Sequence, residues 1–156
     1  FEDENTRMRR YNHLLGELQA VYHEASVRLG VSDSVSIILY TICDEGGQCP
    51  IHTICRQSGL SKQTVNSALR KLEQGGLVYL EAVDKKSKTV CLTDKGAAFA
   101  GKTSLRILQM ENDVLGSWSA RDVEQYLALT ERFLLDLKKR VDLLCVPPQD
   151  QEDKPK

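Results

Sequence analysis

A short stretch near the middle of the chain carries side chains suited to contacts with nucleic acid. Residues 61–73 read SKQTVNSALRKLE, in which apolar side chains recur at spacings of three and four. In a helix, which turns about 100° per residue, this spacing places them on one face and leaves the other face polar. The polar set consists of Ser61, Lys62, Gln63, Thr64, Asn66, Ser67, Arg70 and Lys71.

The polar face has the chemistry of base edges and phosphates. Gln and Asn can bond adenine with two hydrogen bonds, Arg can do so with guanine, and Ser, Thr and Lys suit phosphate oxygens. An ordinary solvated helix face would carry many Glu–Lys pairs, whereas this one has a single acid, Glu73, at its far end. We expect this helix to bind DNA; a merely polar surface is the alternative.

The distribution of charge supports this interpretation, although the total charge does not. The chain has 21 basic and 22 acidic residues, but residues 56–88 contain seven basic and three acidic side chains, a net charge of +4. The remainder therefore carries −5. A positive region within an acidic protein is expected where one module meets phosphate.

The helix must be held by neighbouring elements, which the sequence also predicts. Helical periodicity and capping residues predict helices over residues 6–29, 33–43, 51–57, 61–74 and 93–116, and a last helix that begins after Ser119. The third and fourth helices, joined by a turn containing Gly59, form a helix-turn-helix. The fold class is mainly α, with one small β-hairpin.

The predicted hairpin follows the polar helix, with strands at residues 77–82 and 89–92 and a charged tip between them. Its candidate contacts with DNA are Asp84, Lys85, Lys86 and Lys88. Basic side chains at such a tip are drawn to the minor groove or its phosphates. Lysines also protect a hairpin from pairing at its edge, so a purely structural role stays open.

These motifs together resemble the MarR family of bacterial winged helix-turn-helix regulators. The resemblance rests on residues 61–73, on Leu77-Val78, on DKKSK at residues 84–88 and on LTDKG at residues 92–96. It implies a homodimer that places one recognition helix per subunit in successive major grooves of a pseudo-palindromic operator. It also implies that Asp84 braces the basic residue of the wing. In the family that residue is usually Arg, whereas Lys85 and Lys86 stand here.

The resemblance further implies that the first, fifth and sixth predicted helices build the dimer. The last helix has an apolar seam with alternating steps of four and three, a spacing that favours close helix packing. The predicted interface comprises Leu14, Leu18, Val123, Leu127, Leu134, Leu137, Val141 and Leu144. We therefore predict a dimerisation region at residues 6–30 and 94–145, a DNA-binding lobe at residues 33–93, and a disordered tail at residues 146–156.

Similar proteins often respond to a phenolic or lipophilic ligand, to oxidants or to a metal. For a small-molecule effector, the candidate pocket residues are Tyr22, Tyr40 and Cys43. Cys43, Cys49 and Cys55, with His52 nearby, leave a thiol- or metal-responsive regulator open, although these cysteines are equally typical of a core. No CxxC pair or paired-His spacing supports a metal site, and we expect neither a metal nor a cofactor.

An enzyme and a protein-docking module are the two alternatives to a DNA-binding protein. For an enzyme we find no nucleophile elbow, phosphate loop or paired carboxylates, so none is expected. A winged helix that docks proteins would show aromatic anchors, which the polar face lacks. No run of about 18 apolar residues and no secretory signal is present, so we expect a cytoplasmic protein away from membranes. The resemblance to the MarR family implies that it is a ligand-responsive bacterial repressor.

Overall fold

The structure is a computed structural model that describes residues 3–147, and these form seven α-helices and three β-strands. In chain order the elements are α1 (Glu4–Leu29), α2 (Asp33–Asp44), β1 (Gln48–Pro50), α3 (Ile51–Ser58), α4 (Lys62–Gln74), β2 (Val78–Ala82), β3 (Lys88–Leu92), α5 (Asp94–Lys102), α6 (Ser104–Gly116) and α7 (Ala120–Asp142). The chain divides into two compact units, the first ending at Asn112 and the second beginning at Asp113. The mainly helical winged helix-turn-helix fold predicted from the sequence is confirmed.

The core of the first unit is built around α2, which packs against α1, α3, α4, α5 and two strands. Ile38, Leu39 and Ile42 of this helix are fully buried. Burying a side chain of this size contributes about 1.5–3 kcal/mol, so α2 is a main source of the stability of the unit. Because α3, α4 and two strands all pack on α2, this helix also fixes the position of α4.

A three-stranded antiparallel sheet with the order β1-β3-β2 replaces the two-stranded hairpin of the prediction. The extra strand, β1, pairs with β3 so that Cys49 lies opposite Val90. In β2, Leu80 lies opposite the same Val90. The third strand anchors the base of the wing to the lobe, because β1 is followed immediately by α3.

The predicted fifth helix, residues 93–116, is two helices, and this part of the prediction is wrong. The chain breaks at Thr103, whose φ and ψ are −126° and −92°. Beside it, Ser104 is fully buried and its hydroxyl donates a hydrogen bond of 2.9 Å to the carbonyl of Ser36 in α2. This long-range bond anchors the start of α6, and residues 94–112 belong to the first compact unit.

In the second unit, α7 begins as predicted, with the hydroxyl of Ser119 accepting a hydrogen bond of 3.1 Å from the backbone of Asp122. Near this end the rings of Trp118 and Tyr126 meet edge to face, 5.5 Å apart. The structure describes every residue of α7, and none of these residues is buried in the single chain. The predicted tail lies mostly outside the described residues; Val146 and Pro147 belong to no helix or strand.

Among the described residues, no single helix is long and apolar enough to cross a membrane. Taken together, α1 and α2 pass that test by length and composition, but they meet at a bend of 89°.

Candidate nucleic-acid interface

Helix α4 presents two chemically different faces, as its sequence predicts. Ser61 caps its start by accepting a hydrogen bond of 3.1 Å from the backbone of Thr64, and its end is followed by Gly76 with a φ of +72°. The apolar stripe Val65, Ala68, Leu69 and Leu72 is buried, at no more than 5% exposure. Burial of this stripe leaves the opposite face outside the core.

The structure places the predicted recognition residues on that outer face. Asn66 is half-buried, and the exposed members are Ser61, Lys62, Gln63, Thr64, Ser67, Arg70 and Lys71. The Ser61 hydroxyl also donates to that of Thr64 at 2.9 Å, so Ser61 shapes the helix start. The first turn of α4 contains no acid that would repel phosphate. This side of the helix can therefore offer amides, cations and backbone N–H groups to a duplex.

Beside α4 lies a groove of about 290 Å³, which was not predicted from the sequence. Gln63, Ser67 and Lys71 line one side of it, and Ser32 and Ser34 line the other. The hydroxyl of Ser32 caps α2 by accepting a hydrogen bond of 3.3 Å from Val35. The capping signal was visible in the sequence, but the proximity of α2 to α4 depends on the tertiary fold.

The wing places its lysines as predicted but uses its acid differently. Lys85, Lys86 and Lys88 are exposed on and beside the loop that joins β2 to β3. The carboxylate of Asp84 accepts hydrogen bonds from the backbone N–H groups of Lys86, at 2.7 Å, and Ser87, at 2.8 Å. These bonds lower the pKa of Asp84, the bond from Lys86 most strongly. Asp84 therefore braces the backbone of the loop rather than a basic side chain.

The segment that follows the wing fixes the end of α4. The hydroxyl of Thr93 donates a hydrogen bond of 2.6 Å to the carbonyl of Gly76, and it accepts one of 3.0 Å from the backbone of Gly96. The ammonium group of Lys95 donates to the carbonyl of Gly75 at 2.9 Å. The LTDKG motif therefore has a structural role, since its side chains fix the residues that follow α4.

A larger cavity, of about 770 Å³, lies within the first unit and is lined by residues of α1, α2 and α6. Two of the three predicted pocket residues, Tyr22 and Tyr40, line it. Cys43 does not, since it packs partly buried against the hydrophobic core. Burial, followed by the negative charge of Glu111, raises the pKa of Tyr40 to about 12. Glu111 was not among the predicted pocket residues, because no local motif in the sequence marks it.

The cysteines are placed in ways that bear on the alternative of a thiol or metal switch. Cys49 is buried in β1, and burial raises its pKa to about 11, so its thiol stays protonated at neutral pH. Burial also raises the pKa of Cys43. Within residues 3–147, no group of three or more His, Cys, Asp or Glu side chains could hold a metal ion.

The predicted dimer residues are largely uncovered in the single chain. In α1, Leu14 and Leu18 are 56% and 44% exposed, and in α7, Leu134 is 61% exposed. Val123 is half-buried. The exposed remainder of the predicted set is Leu127, Leu137, Val141 and Leu144.

The segment that carries α4 and the wing is similar in sequence to a known family. Residues 29–87, which span α2 through the wing loop, match the sequence profile of the MarR family. No curated protein matches the chain.

Solved structures share the fold. A MarR family regulator from Neisseria meningitidis is 17% identical with a TM-score of 0.77, covering 87% of this chain and 96% of its own. The complex of MepR from S. aureus with DNA is 20% identical with a TM-score of 0.65, covering 85% of this chain and 98% of its own. PcaV from Streptomyces coelicolor, in complex with its natural ligand, is 20% identical with a TM-score of 0.61, covering 79% and 90%.

Proposed function

We propose that this chain, whose winged-helix lobe belongs to the MarR family, is a repressor that binds double-stranded DNA as a homodimer and is released by a small ligand. The coarser statement, a DNA-binding transcription regulator, follows from the family match. In this proposal the protein binds DNA and ligand without catalysing a reaction, and it acts in the bacterial cytoplasm.

The observation that carries the proposal is the exposed face of α4. Gln63 and Arg70 project away from the buried stripe, and no acid lies between them. Side chains of these types read base edges in the major groove, which admits an α-helix. The lysines of the wing add contacts with phosphate on the same lobe. That MepR, of the same fold, has been solved with DNA supports this use of the fold.

A homodimer is supported by the apolar residues that α7 leaves uncovered. Leu127, Leu134 and Leu137 are each about half exposed or more, at 48%, 61% and 48%. Large apolar patches on a single chain mark an interaction surface. A symmetric dimer would present two copies of α4 to two half-sites of an operator.

Selection of bound duplexes from a random pool tests the proposal. We expect enrichment of a sequence with inverted symmetry, whose half-sites are centred about 10 base pairs apart, one helical turn. Affinity for the selected duplex should fall steeply as salt rises, because bound Lys and Arg release counterions from phosphate. Equal affinity for selected and random duplexes, unaffected by salt, would show that the chain is not a sequence-specific regulator.

A further inference from the structure

The large cavity of the first unit has the size of a ligand site and a lining that combines apolar and acidic groups. Its volume of about 770 Å³ is within the range typical of small-molecule pockets. Ile37, Leu60 and Ile107 supply aliphatic surface, and Tyr22 and Tyr40 supply aromatic surface. These side chains suit the body of an apolar ligand, so the polar groups determine its head group.

Glu111 is the polar group with an unmet hydrogen-bonding requirement. The hydroxyl of Tyr22 donates a hydrogen bond of 2.5 Å to its Oε1 atom. The hydroxyl of Tyr40 also interacts with this carboxylate, but the other oxygen, Oε2, is buried and accepts no hydrogen bond of normal geometry within the described residues. A buried carboxylate oxygen without a donor is unfavourable, and a ligand that brings an N–H group would correct this.

The remaining charges on the cavity wall are mainly negative. Asp33 and Asp44 line it together with Glu111, and none of its described lining residues is Lys or Arg. The imidazole of His23 also lines the cavity. Its Nδ1 atom lies 2.7 Å from Oδ2 of Asp33, so this nitrogen already has a partner. The field of three carboxylates repels an anionic head group and attracts a cation.

We propose that this cavity binds a protonated amine that carries an apolar or aromatic body. The ammonium group donates a hydrogen bond to Oε2 of Glu111, and the body lies against Tyr22, Tyr40 and the aliphatic side chains. A primary or secondary amine fits better than a quaternary ammonium, because only the former has an N–H group for the unpartnered oxygen. This inference rests on the proposed function, since it names the ligand class of the proposed regulator.

The position of the cavity explains how its occupant would affect DNA binding. Ser34 lines both this cavity and the groove beside α4. Of the two residues that precede Ser34, Asp33 lines the cavity and Ser32 lines the groove. A ligand that displaces the start of α2 would therefore alter the surface that Gln63 and Lys71 share with it. Occupancy of the cavity should weaken binding to the selected duplex.

Three ligands with the same biphenyl body test the head group by isothermal titration calorimetry at neutral pH. They are 4-phenylbenzylamine, which is protonated, 4-phenylbenzyl alcohol, which is neutral, and biphenyl-4-carboxylate, which is an anion. We expect the amine to bind about tenfold or more tightly than either of the others, the advantage of a charged hydrogen bond over a neutral one. Its N,N,N-trimethyl derivative should bind less tightly than the amine.

Two variants identify the residue responsible. Glu111→Gln keeps an oxygen to accept from Tyr22 but removes the charge, and should lower the affinity for the amine about tenfold while changing that for the alcohol little. Asp113→Asn makes the same charge change two residues along, at an exposed position outside the cavity lining. It should leave the affinity for the amine unchanged. Thermal melting of each variant verifies folding.

The proposal is overturned if the carboxylate or the alcohol binds as tightly as the amine to the native chain, or if folded Glu111→Gln binds the amine as tightly as the native chain. Binding of the ligand-free protein to the selected duplex is measured in the same preparation. If the duplex binds and the amine does not, this inference fails and the proposed function stands. If the amine binds and no duplex does, the proposed function fails and the cavity chemistry stands.

Discussion

Gly96 lies directly against the backbone of Leu77, so closely that a Cβ atom on Gly96 would be 1.8 Å from the carbonyl oxygen of Leu77. Leu77 is part of the turn that leaves α4, and Gly96 is in the first turn of α5. Together with the hydrogen bonds of Thr93, this contact fixes the end of α4 against α5. The last residue of the LTDKG motif is therefore glycine for steric reasons.

Replacing Gly96 should consequently destabilise the lobe. A Cβ atom at this position would clash with the backbone of Leu77, which cannot move aside as a flexible side chain can. We expect Gly96→Ala to lower the free energy of unfolding by about 1–3 kcal/mol, as measured by urea denaturation. In the same helix Gly101 has nothing within 4 Å of its Cβ position, so Gly101→Ala should stabilise the chain by about 0.5–1 kcal/mol. Equal stability of Gly96→Ala and the native chain would disprove the close contact.

The apolar seam of α7 should form part of the dimer interface. Leu137 is 48% exposed in the single chain and lies within the seam. Leu137→Asp would place a charge in the proposed interface and should shift the sedimentation coefficient to that of a monomer. Lys139→Asp, on the opposite side of the helix, should leave the dimer intact. An unaltered dimer in the Leu137 variant would mean that α7 does not form the interface in this way.

The wing should contribute affinity without selectivity. Lys88 is exposed where β3 begins. If it contacts phosphate, Lys88→Ala should weaken binding to all duplexes alike and reduce the salt slope by about 1. Lys102→Ala removes the same charge from the end of α5, outside the wing. A loss confined to the selected duplex would show that Lys88 reads sequence instead.

The raised pKa of Tyr40 leads to a prediction about alkaline stability. The ordinary tyrosine value is 10.0, whereas burial and the charge of Glu111 raise that of Tyr40 to about 12. Above pH 10 the unfolded chain loses a proton that the folded chain retains, so stability falls as the pH rises from 10 to 12. Tyr40→Phe should lose less stability over this interval in urea titrations. Parallel curves for the two proteins would contradict the raised value.

Much of α4 could be predicted because the signals that define this helix are local. The capping Ser61, the stripe through Val65 and Leu72 and the terminal glycines all lie within the helix or beside it. The same locality explains why the ends of α1 and α2 were predicted to within two residues. Capping residues, apolar spacing and glycines close to each helix were therefore enough to predict the helices that carry the candidate interface.

The features that could not be predicted depend on distant parts of the chain. Strand β1 has three residues, ends in Pro50, and exists because it pairs with β3 about forty residues later. The break at Thr103 follows from the bond between Ser104 and Ser36, which are 68 residues apart. The role proposed for Glu111 depends on its hydrogen bond with Tyr22, which lies 89 residues away in the sequence.

Repeating the duplex selection with Arg70→Ala shows directly whether α4 reads bases with its exposed face. Arg70 should specify one position in each half-site, so the variant should lose its preference at that symmetric pair alone. It should also bind the original duplex more weakly by about 1–3 kcal/mol. If the variant selects the same sequence with the same affinity and the same preference at every position, Arg70 on α4 does not read the operator.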